Sequence, residues 1–358
     1  MIVDRIEWWQ VDQLVHQEMV NSPEYATVHE RWDTVPKFLV RLHTDDGHYG
    51  VGESSRGLGR EAIEAGARSL LGQDPRTLNL RALPVTGPAA AAYQTYEVAV
   101  FDLVGRLRGM RVGELLGGIA RERVLTGYWA GLQAPAYSIT AARAAASGGY
   151  GCLKIKIMHG MEVIERLRLM HEAAPQVRFI VDAMSRYDDL DEMLALARAM
   201  EPYNVLCLED PLLKDRYDWY RTLRQEAPIP IALHLGSTRQ ILEALKADAA
   251  DIFNCSPGSM VRFVQMVDVA EAAGKPCWHG SGVDLGILDL SYIHACAVAP
   301  NATVPSDILS TPLHLDDFVV EMPPRQGDQI AVPPGPGLGG ELDLAAVERY
   351  LIARGEVR

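Results

Sequence analysis

Short apolar runs alternate with helix-patterned stretches through most of this chain. From residue 123 onward the runs are VLTGYWA (124–130), LKIKI (153–157), RFIVD (178–182), VLCLE (205–209), IPIALH (229–234), ADIFNC (250–255), KPCWH (275–279) and ATVPSDI (302–308). Between them lie stretches such as EVIERLRLMHEAA, DEMLALARAME, RQILEALKA and MVRFVQMVDVAEAAG, whose apolar positions repeat with a helical period. Buried parallel strands read as continuous apolar runs rather than as an alternation. Strand and helix in this order predict an α/β fold with eight strands closing into a (β/α) barrel. An open doubly wound sheet is the rival. It more often carries a Gly-rich phosphate loop after its first strand, and no such loop follows residues 124–130.

Before residue 123 the pattern is different. Lys37 to Leu42 and Tyr49 to Glu53 are β-rich, and Thr44-Asp45-Asp46-Gly47 lies between them as a turn, which predicts a hairpin. Residues 60–72 and 89–116 have helical periodicity, and Gly117-Gly118 stops the second stretch. After about residue 318 come a turn-rich segment, VPPGPGLGGELD, and a short helix. The expected division is an N-terminal α+β domain over 1–122, a barrel over 123–317, and a C-terminal segment, 318–358, that returns to the N-terminal domain.

Composition narrows the partners. A chain of 358 residues suits a barrel with a smaller companion domain, and 48% hydrophobic with 23% charged residues suits a globular protein. The formal net charge of -13 repels phosphate backbones and anionic membranes, so neither nucleic acid nor a membrane is an expected partner. A small carboxylate substrate would need local positive charge from a metal or from lysine. Lysine is scarce: Lys37, Lys154, Lys156, Lys214, Lys246 and Lys275 are the whole set, and two of them stand one residue apart. The five cysteines include no C-x-x-C pair, which reads as reduced core thiols in a cytoplasmic protein. The start shows no signal-peptide pattern, and no apolar run approaches the roughly 20 residues that span a bilayer.

In a barrel the active site lies at the C-terminal ends of the strands. The residues standing there are Tyr128 and Trp129, then Lys154 and Lys156, Asp182, Glu209, His234, Asn254 with Cys255 and Ser256, His279, and Asp307. Residues two apart on a strand share a face, so Lys154 and Lys156 point the same way. A lysine facing inward is either paired with a carboxylate or deprotonated and usable as a base. Asp182 and Glu209 end adjacent strands, close enough to share one cation, and oxygen ligands suit Mg²⁺; the alternative is that each pairs with a lysine. His234 is a third ligand, a substrate hydrogen-bonder or a core histidine, and imidazole suits Zn, Mn or Fe better than Mg²⁺. His279 is placed across the barrel from Lys156, where it would act as acid or second base, or else it packs.

These residues resemble the enolase superfamily, in its muconate-lactonising and mandelate-racemase branches. Lys154-Ile155-Lys156 resembles the K-x-K motif of the second barrel strand, and Asp182 and Leu208-Glu209-Asp210-Pro211 resemble the first two metal-ligand motifs. Tyr49-Gly50-Val51-Gly52-Glu53-Ser54 resembles the G-x-G-E segment of the capping domain. The stretch Glu97–Gly105 with Glu114–Gly118 resembles the helix ending in LLGG, and Pro336-Gly337-Leu338-Gly339 matches the C-terminal PGLG. The resemblance implies a capping α+β domain over a (β/α)₇β barrel, a symmetric homo-oligomer, and abstraction of the proton α to a carboxylate with Mg²⁺ stabilising the enediolate. It implies Lys156 as base, Lys154 as its modulator or carboxylate binder, His279 as acid, and Asp182, Glu209 and His234 as metal ligands. Ser256, Asn254, Asp307, Tyr128 and Asp284 are the implied substrate-binding set. Two departures stand out. The third ligand is normally Asp or Glu, and Ser256 stands where the muconate-lactonising branch often has a second lysine. Dehydration of a small hydroxy or sugar acid is therefore favoured over racemisation or cycloisomerisation, with ligand binding without turnover as the rival. Substrate choice in this architecture falls to a capping loop over 15–35, holding His16, Tyr25, His29, Arg31 and Trp32.

Overall fold

A computed structural model describes residues 1–16, 19–25 and 34–358 of the chain. His29, Arg31 and Trp32 of the expected specificity loop lie outside the described residues. Strands β1 (Val3–Val11), β2 (Lys37–Thr44) and β3 (Tyr49–Glu53) form an antiparallel sheet, and the last strand, Leu351–Val357, pairs with the free side of β1. The two ends of the chain thus share one sheet. One face of that sheet, carrying Ile6, Trp8, Phe38, Val40 and Leu42, packs on Ile63 and Leu70 of helix Arg60–Leu70 and on Tyr96 and Leu103 of helix Tyr93–Arg108. The glycines of β3 explain how close that packing is. A Cβ on Gly50 would strike the Ala99 carbonyl and the Leu103 N–H, and one on Gly52 would strike the Thr95 carbonyl. The expected single helix over 89–116 is divided. A 3-10 turn over Gly87–Ala92 precedes Tyr93–Arg108, Gly109 ends that helix in the left-handed region at φ 64°, and a short turn follows at Val112–Leu115.

The run expected as the first barrel strand also splits. Its start, β4 (Arg123–Leu125), pairs with Gln329–Ala331 in a small antiparallel sheet, and its end is β5 (Tyr128–Ala130). With β5 begin seven parallel strands: β6 (Cys152–Lys156), β7 (Arg178–Asp182), β8 (Val205–Glu209), β9 (Ile231–Leu235), β10 (Ile252–Cys255) and β11 (Cys277–His279), neighbours in chain order. A helix follows each strand, and Asp189, Ser237 and Ser259 cap three of them with side-chain hydrogen bonds. The run 302–308 is not a regular strand, but its backbone meets both edges of the sheet. The Asp307 N–H donates to the His279 carbonyl, and the Gly127 N–H donates to the Ser306 carbonyl.

Strand alternation sorts the side chains. Cys152, Ile180, Cys207, Ala232, Ile252, Trp278 and Val304 form an apolar plug inside the curled sheet. Two residues further along, on the same face, come Lys154, Asp182, Glu209, His234 and Asn254. All five cysteines are buried and free, and no helix among the described residues is long and apolar enough to cross a membrane.

Two buried polar contacts, the first of them ionic, tie the N-terminal sheet and helices to the parallel sheet. Lys37 on β2 meets Glu53 on β3 at 2.7 Å and Asp284, after β11, at 2.5 Å. Glu53 also accepts the Leu285 and Leu288 N–H groups at the start of helix Gly286–Val298, where the helix dipole favours an anion. Glu97 on helix Tyr93–Arg108 accepts from Ser259 Oγ and the Met260 N–H, both at 2.6 Å, at the start of helix Met260–Ala272. Burial pushes the Glu97 carboxyl up to about 7, against the pull of those two donors.

Removing Lys37 strands two buried carboxylates. Lys37→Met is expected to destabilise the fold by about 3–5 kcal/mol in urea unfolding. A second expectation concerns pH. The folded-state value of Glu97 lies above its ordinary 4.5, so its contribution is present below pH 4.5 and is lost as pH rises through about 7. Unfolding curves should show wild type losing on the order of 3 kcal/mol relative to Glu97→Gln across that window. A flat difference would show that burial does not govern this carboxyl.

Candidate active site

The parallel register brings the polar strand ends together. Lys156 is opposite Asp182, and Asp182 is opposite Glu209. Lys154 is the deeper of the two lysines, with its side chain only 7% exposed. Its ammonium stands 2.8 Å from Glu209 Oε2, 3.1 Å from Asp307 Oδ2 and 3.7 Å from Asp182 Oδ2, over the Trp278 ring. Burial by itself would lower the Lys154 pKa, but Asp307, Glu209 and Asp182 outweigh it and hold the group well above its ordinary value. Lys154 therefore stays an ammonium. Lys156 sits one step nearer the opening, its side chain 23% exposed, and its ammonium donates to Asp182 Oδ2 at 3.1 Å. Behind it the buried Arg166 guanidinium donates to the Lys156 carbonyl at 2.6 Å and to Ser138 Oγ and the Gly131 carbonyl, fixing the end of β6.

The two central carboxylates are driven apart. Burial favours the neutral form of Asp182, yet Lys156 and Lys154 pull its pKa down to about 2. Glu209 is pushed up, first by burial and then by the neighbouring acids, against the pull of Lys154. Asn254 Nδ2 donates to Glu209 Oε1 at 2.8 Å, and His234 Nδ1 stands 3.9 Å from the same oxygen. Desolvation at the barrel mouth, together with Lys154 and Lys214, lowers the His234 pKa, so its imidazole is neutral. Asp210, next in chain, accepts the His234 N–H at 2.9 Å and pairs with Lys214 at 2.8 Å. Backbone strain gathers here too. Met184, Ser185, Asp210 and Val283 all hold positive φ, an unfavourable state for residues with side chains and most of all for a β-branched one.

Three sequence expectations are corrected. His279 does not face Lys156. Asn254 is opposite Trp278, so Trp278 faces inward and His279 outward, where its ring stacks on Tyr292 at 3.8 Å and meets Phe263 at 4.6 Å. Burial pushes its pKa down to about 4. By the same alternation Tyr128 faces out against Tyr150, and Trp129, opposite Lys154, takes the inward place. Asp284 is buried on Lys37 rather than at the mouth. It accepts from Ser281 Oγ, the Gly282 N–H and the Tyr292 hydroxyl, and so it holds the loop that carries Val283. Ser256 stays beside Asn254, at 3.5 Å.

A cavity of about 160 Å³ opens over the lysines, lined by Lys154, Lys156, Asp182, His234 and Asp307 and by Trp129, Arg56, Ser281, Gly282, Val283 and Leu309. Of these last six, sequence reasoning placed only Trp129 at a strand end, and it gave none of them a role. Arg56 arrives just after β3, and only its place next to the G-x-G-E segment could have flagged it. Of the expected specificity loop, Val15, Met19, Val20 and Val35 pack with Trp129, Leu309 and Leu313 at this mouth, and the His16 N–H donates to the Leu313 carbonyl. Tyr25 is engaged locally, its N–H on the Ser22 carbonyl. A larger cavity of about 810 Å³, along the proline-rich stretches 320–324 and 331–341, brings no lysine or histidine together with its acids.

Residues 137–346 match the family model described as Enolase C-terminal domain-like. The chain belongs to the enolase superfamily. It is 30% identical over 337 residues to an N-succinylamino acid racemase of Thermus thermophilus, covering 88% of this chain and 89% of that one. It is 27% identical over 355 residues to a D-galactonate dehydratase of Ralstonia nicotianae, covering 87% and 90%. Its fold matches the crystal structure of muconate cycloisomerase from Pseudomonas fluorescens with a TM-score of 0.83 at 22% identity, over 98% of this chain and 99% of that one.

Enolase-superfamily sites generally join a lysine or histidine base to Mg²⁺. The residues present do not fit that ion. All four oxygens of Asp182 and Glu209 already face nitrogen. Asp182 Oδ1 accepts the Met184 N–H at 2.8 Å, and Oδ2 faces both lysines. Glu209 Oε1 accepts from Asn254, and Oε2 meets Lys154 as an ion contact rather than an aligned hydrogen bond. The third donor is a neutral imidazole, a poorer Mg²⁺ ligand than a carboxylate. Among the described residues no three His, Cys, Asp or Glu side chains are placed to share an ion.

Gly280 is a point of leverage on this network. A Cβ there would strike Asn254 Oδ1 and Ser256 Oγ. Gly280→Ala is expected to push Asn254 off Glu209 and to cost about 1–3 kcal/mol of stability. Thermal unfolding reads the cost, and a crystal structure of the variant reads the Asn254–Glu209 separation. An unchanged hydrogen bond in that structure would show that the contact is not under tension.

Proposed function

We propose that this enolase-superfamily member removes the proton α to the carboxylate of a small hydroxy or sugar acid, with Lys156 as base, and completes a dehydration. The difference between the two lysines carries the reading. Lys154 is enclosed by three carboxylates and held as a cation, whereas Lys156 meets only Asp182 among them and opens to the cavity. A base needs an accessible nitrogen that can lose its proton, and a charge stabiliser needs the opposite. In the proposed step neutral Lys156 takes the α-proton, and the electron pair moves into the enediolate. Loss of the β-hydroxyl then forms the C=C bond. The Lys156 ammonium returns its proton to the leaving hydroxide, so water departs from the same face.

Elimination on one face needs no second base. That agrees with Ser256 standing in the second-lysine place and with His279 facing outward. It also agrees with the dehydratase among the relatives, while the racemase relative is served by the same first proton transfer. We take the architecture as a (β/α)₇β barrel over 123–317, capped by 1–122 and by the returning segment 318–358. Support for the return comes from the Leu338 N–H on Asp102 and from the Arg106–Glu341 ion pair at 2.6 Å.

A second reading is carboxylate binding without turnover, motivated by His234 and by the outward turn of His279. Solvent deuterium exchange separates the two. A panel of sugar acids, hydroxy acids and N-acyl amino acids is incubated in D₂O with wild type and with Lys156→Ala. At least one acid should exchange its α-proton, and the variant should lose about 10²–10⁴-fold in rate. Acids that bind but never exchange would leave the binding reading.

A further inference from the structure

The mouth of the barrel holds three buried or nearly buried acids, Asp182, Glu209 and Asp307, around one buried ammonium. Three cationic residues line the same cavity: Lys154, Lys156 and Arg56. Asp182 and Asp307 thus face this basic set beside Glu209, whose carboxyl is pushed up by burial, while Asp210 and Lys214 pair alongside. His234 adds a ring where a carboxylate would add a charge. A divalent cation placed here would have to compete for Asp182 and Glu209 oxygens that already make five contacts with four nitrogens, one of them a backbone N–H. It would also bring two positive charges to within reach of Lys154, whose burial leaves little water to screen the repulsion.

We infer that Lys154 is the resident cation of this site in place of a divalent metal, and that the protein binds its carboxylate substrate without one. The ammonium is already tied to Glu209, Asp307 and Asp182, lies on the cavity wall, and is held there by Trp278 beneath it. A carboxylate entering the cavity meets this charge at its inner end. In the proton abstraction proposed above, the same ammonium faces the charge that develops on the carboxylate oxygens. His234 is then the residue that distinguishes the site from a metal centre. It supplies a neutral N–H or lone pair where a carboxylate would add a third hard, anionic oxygen ligand.

This catalytic role rests on the α-proton reading, but the metal question does not, so the test is set on binding alone. The full chain, stripped with chelator, is titrated with Mn²⁺ and the free ion is followed by electron paramagnetic resonance, with Mg²⁺ as competitor. Wild type is expected to show no saturable site, and its melting temperature should be the same in chelator and in millimolar Mg²⁺. His234→Asp restores the missing carboxylate and is expected to bind Mn²⁺ at least about tenfold more tightly. Saturable binding of one Mn²⁺ by wild type, displaced by Mg²⁺, would overturn the inference. Failure of every acid to exchange deuterium would instead strike the reaction and leave this result standing.

Discussion

One buried ammonium organises the catalytic end of this molecule. Three acids converge on the inner rim of the parallel sheet, and burying them together without a counter-charge would cost several kcal/mol for each ion. Lys154 meets all three within 4 Å. Its position follows from the strand. It lies two residues beyond the apolar Cys152, on the same face, so the charge begins where the plug of Cys152, Ile180 and Trp278 ends. Everything nearer the solvent is placed relative to it. Asp182 is shared with Lys156, Glu209 is shared with Asn254, and Asn254 is wedged against Gly280.

The N-terminal sheet contributes to this end through a second ionic knot. Lys37, Glu53 and Asp284 are fully enclosed, and they join β2, β3 and the loop after β11. Asp284 in turn holds Ser281 and Gly282 by hydrogen bonds, and Val283 is kept in a left-handed conformation between them and the next helix. Such strain of about 1–3 kcal/mol persists only where the surroundings over-determine it. Here the surroundings are the knot itself. The same loop lines the cavity together with Arg56, which follows β3, so the N-terminal sheet shapes the pocket both directly and through the knot.

The sequence made the strand-and-helix order readable because buried parallel strands are apolar throughout, and that property needs no partner to be seen. Lys154, Lys156, Asp182 and Glu209 were legible for the same reason: charges at the ends of apolar runs are rare. What could not be read was parity. A shift of one residue turns a side chain from the inner to the outer face, and the pairing of Asn254 with Trp278 is a fact of sheet register, not of local pattern. His279 and Tyr128 therefore lie on the face opposite to the one expected, and of the two residues ending the first strand it is Trp129 that points inward. Asp284 was misplaced for another reason. Its partner Lys37 lies 247 residues away in sequence, and no local signal connects them. Gly109, inside an otherwise helical stretch, was a visible warning that 89–116 is not one helix.

The superfamily relationship and the individual chemistry of this chain come from different residues. Gly50 and Gly52 serve the packing of the N-terminal sheet, the K-x-K pair stands at the inner rim of the parallel sheet, and these match the family pattern. At His234, Ser256 and His279, the places expected for a third ligand, a second base and an acid, the chain departs or turns away. Among the described residues the site offers one accessible lysine and one enclosed lysine, and His279 is not across the barrel from them, which is the arrangement that favours the one-face elimination proposed above over an inversion. In the proposed step the enclosed lysine does more than orient its neighbour, because Glu209, Asp307 and Asp182 hold it as a fixed cation on the cavity wall, where His234 adds no charge.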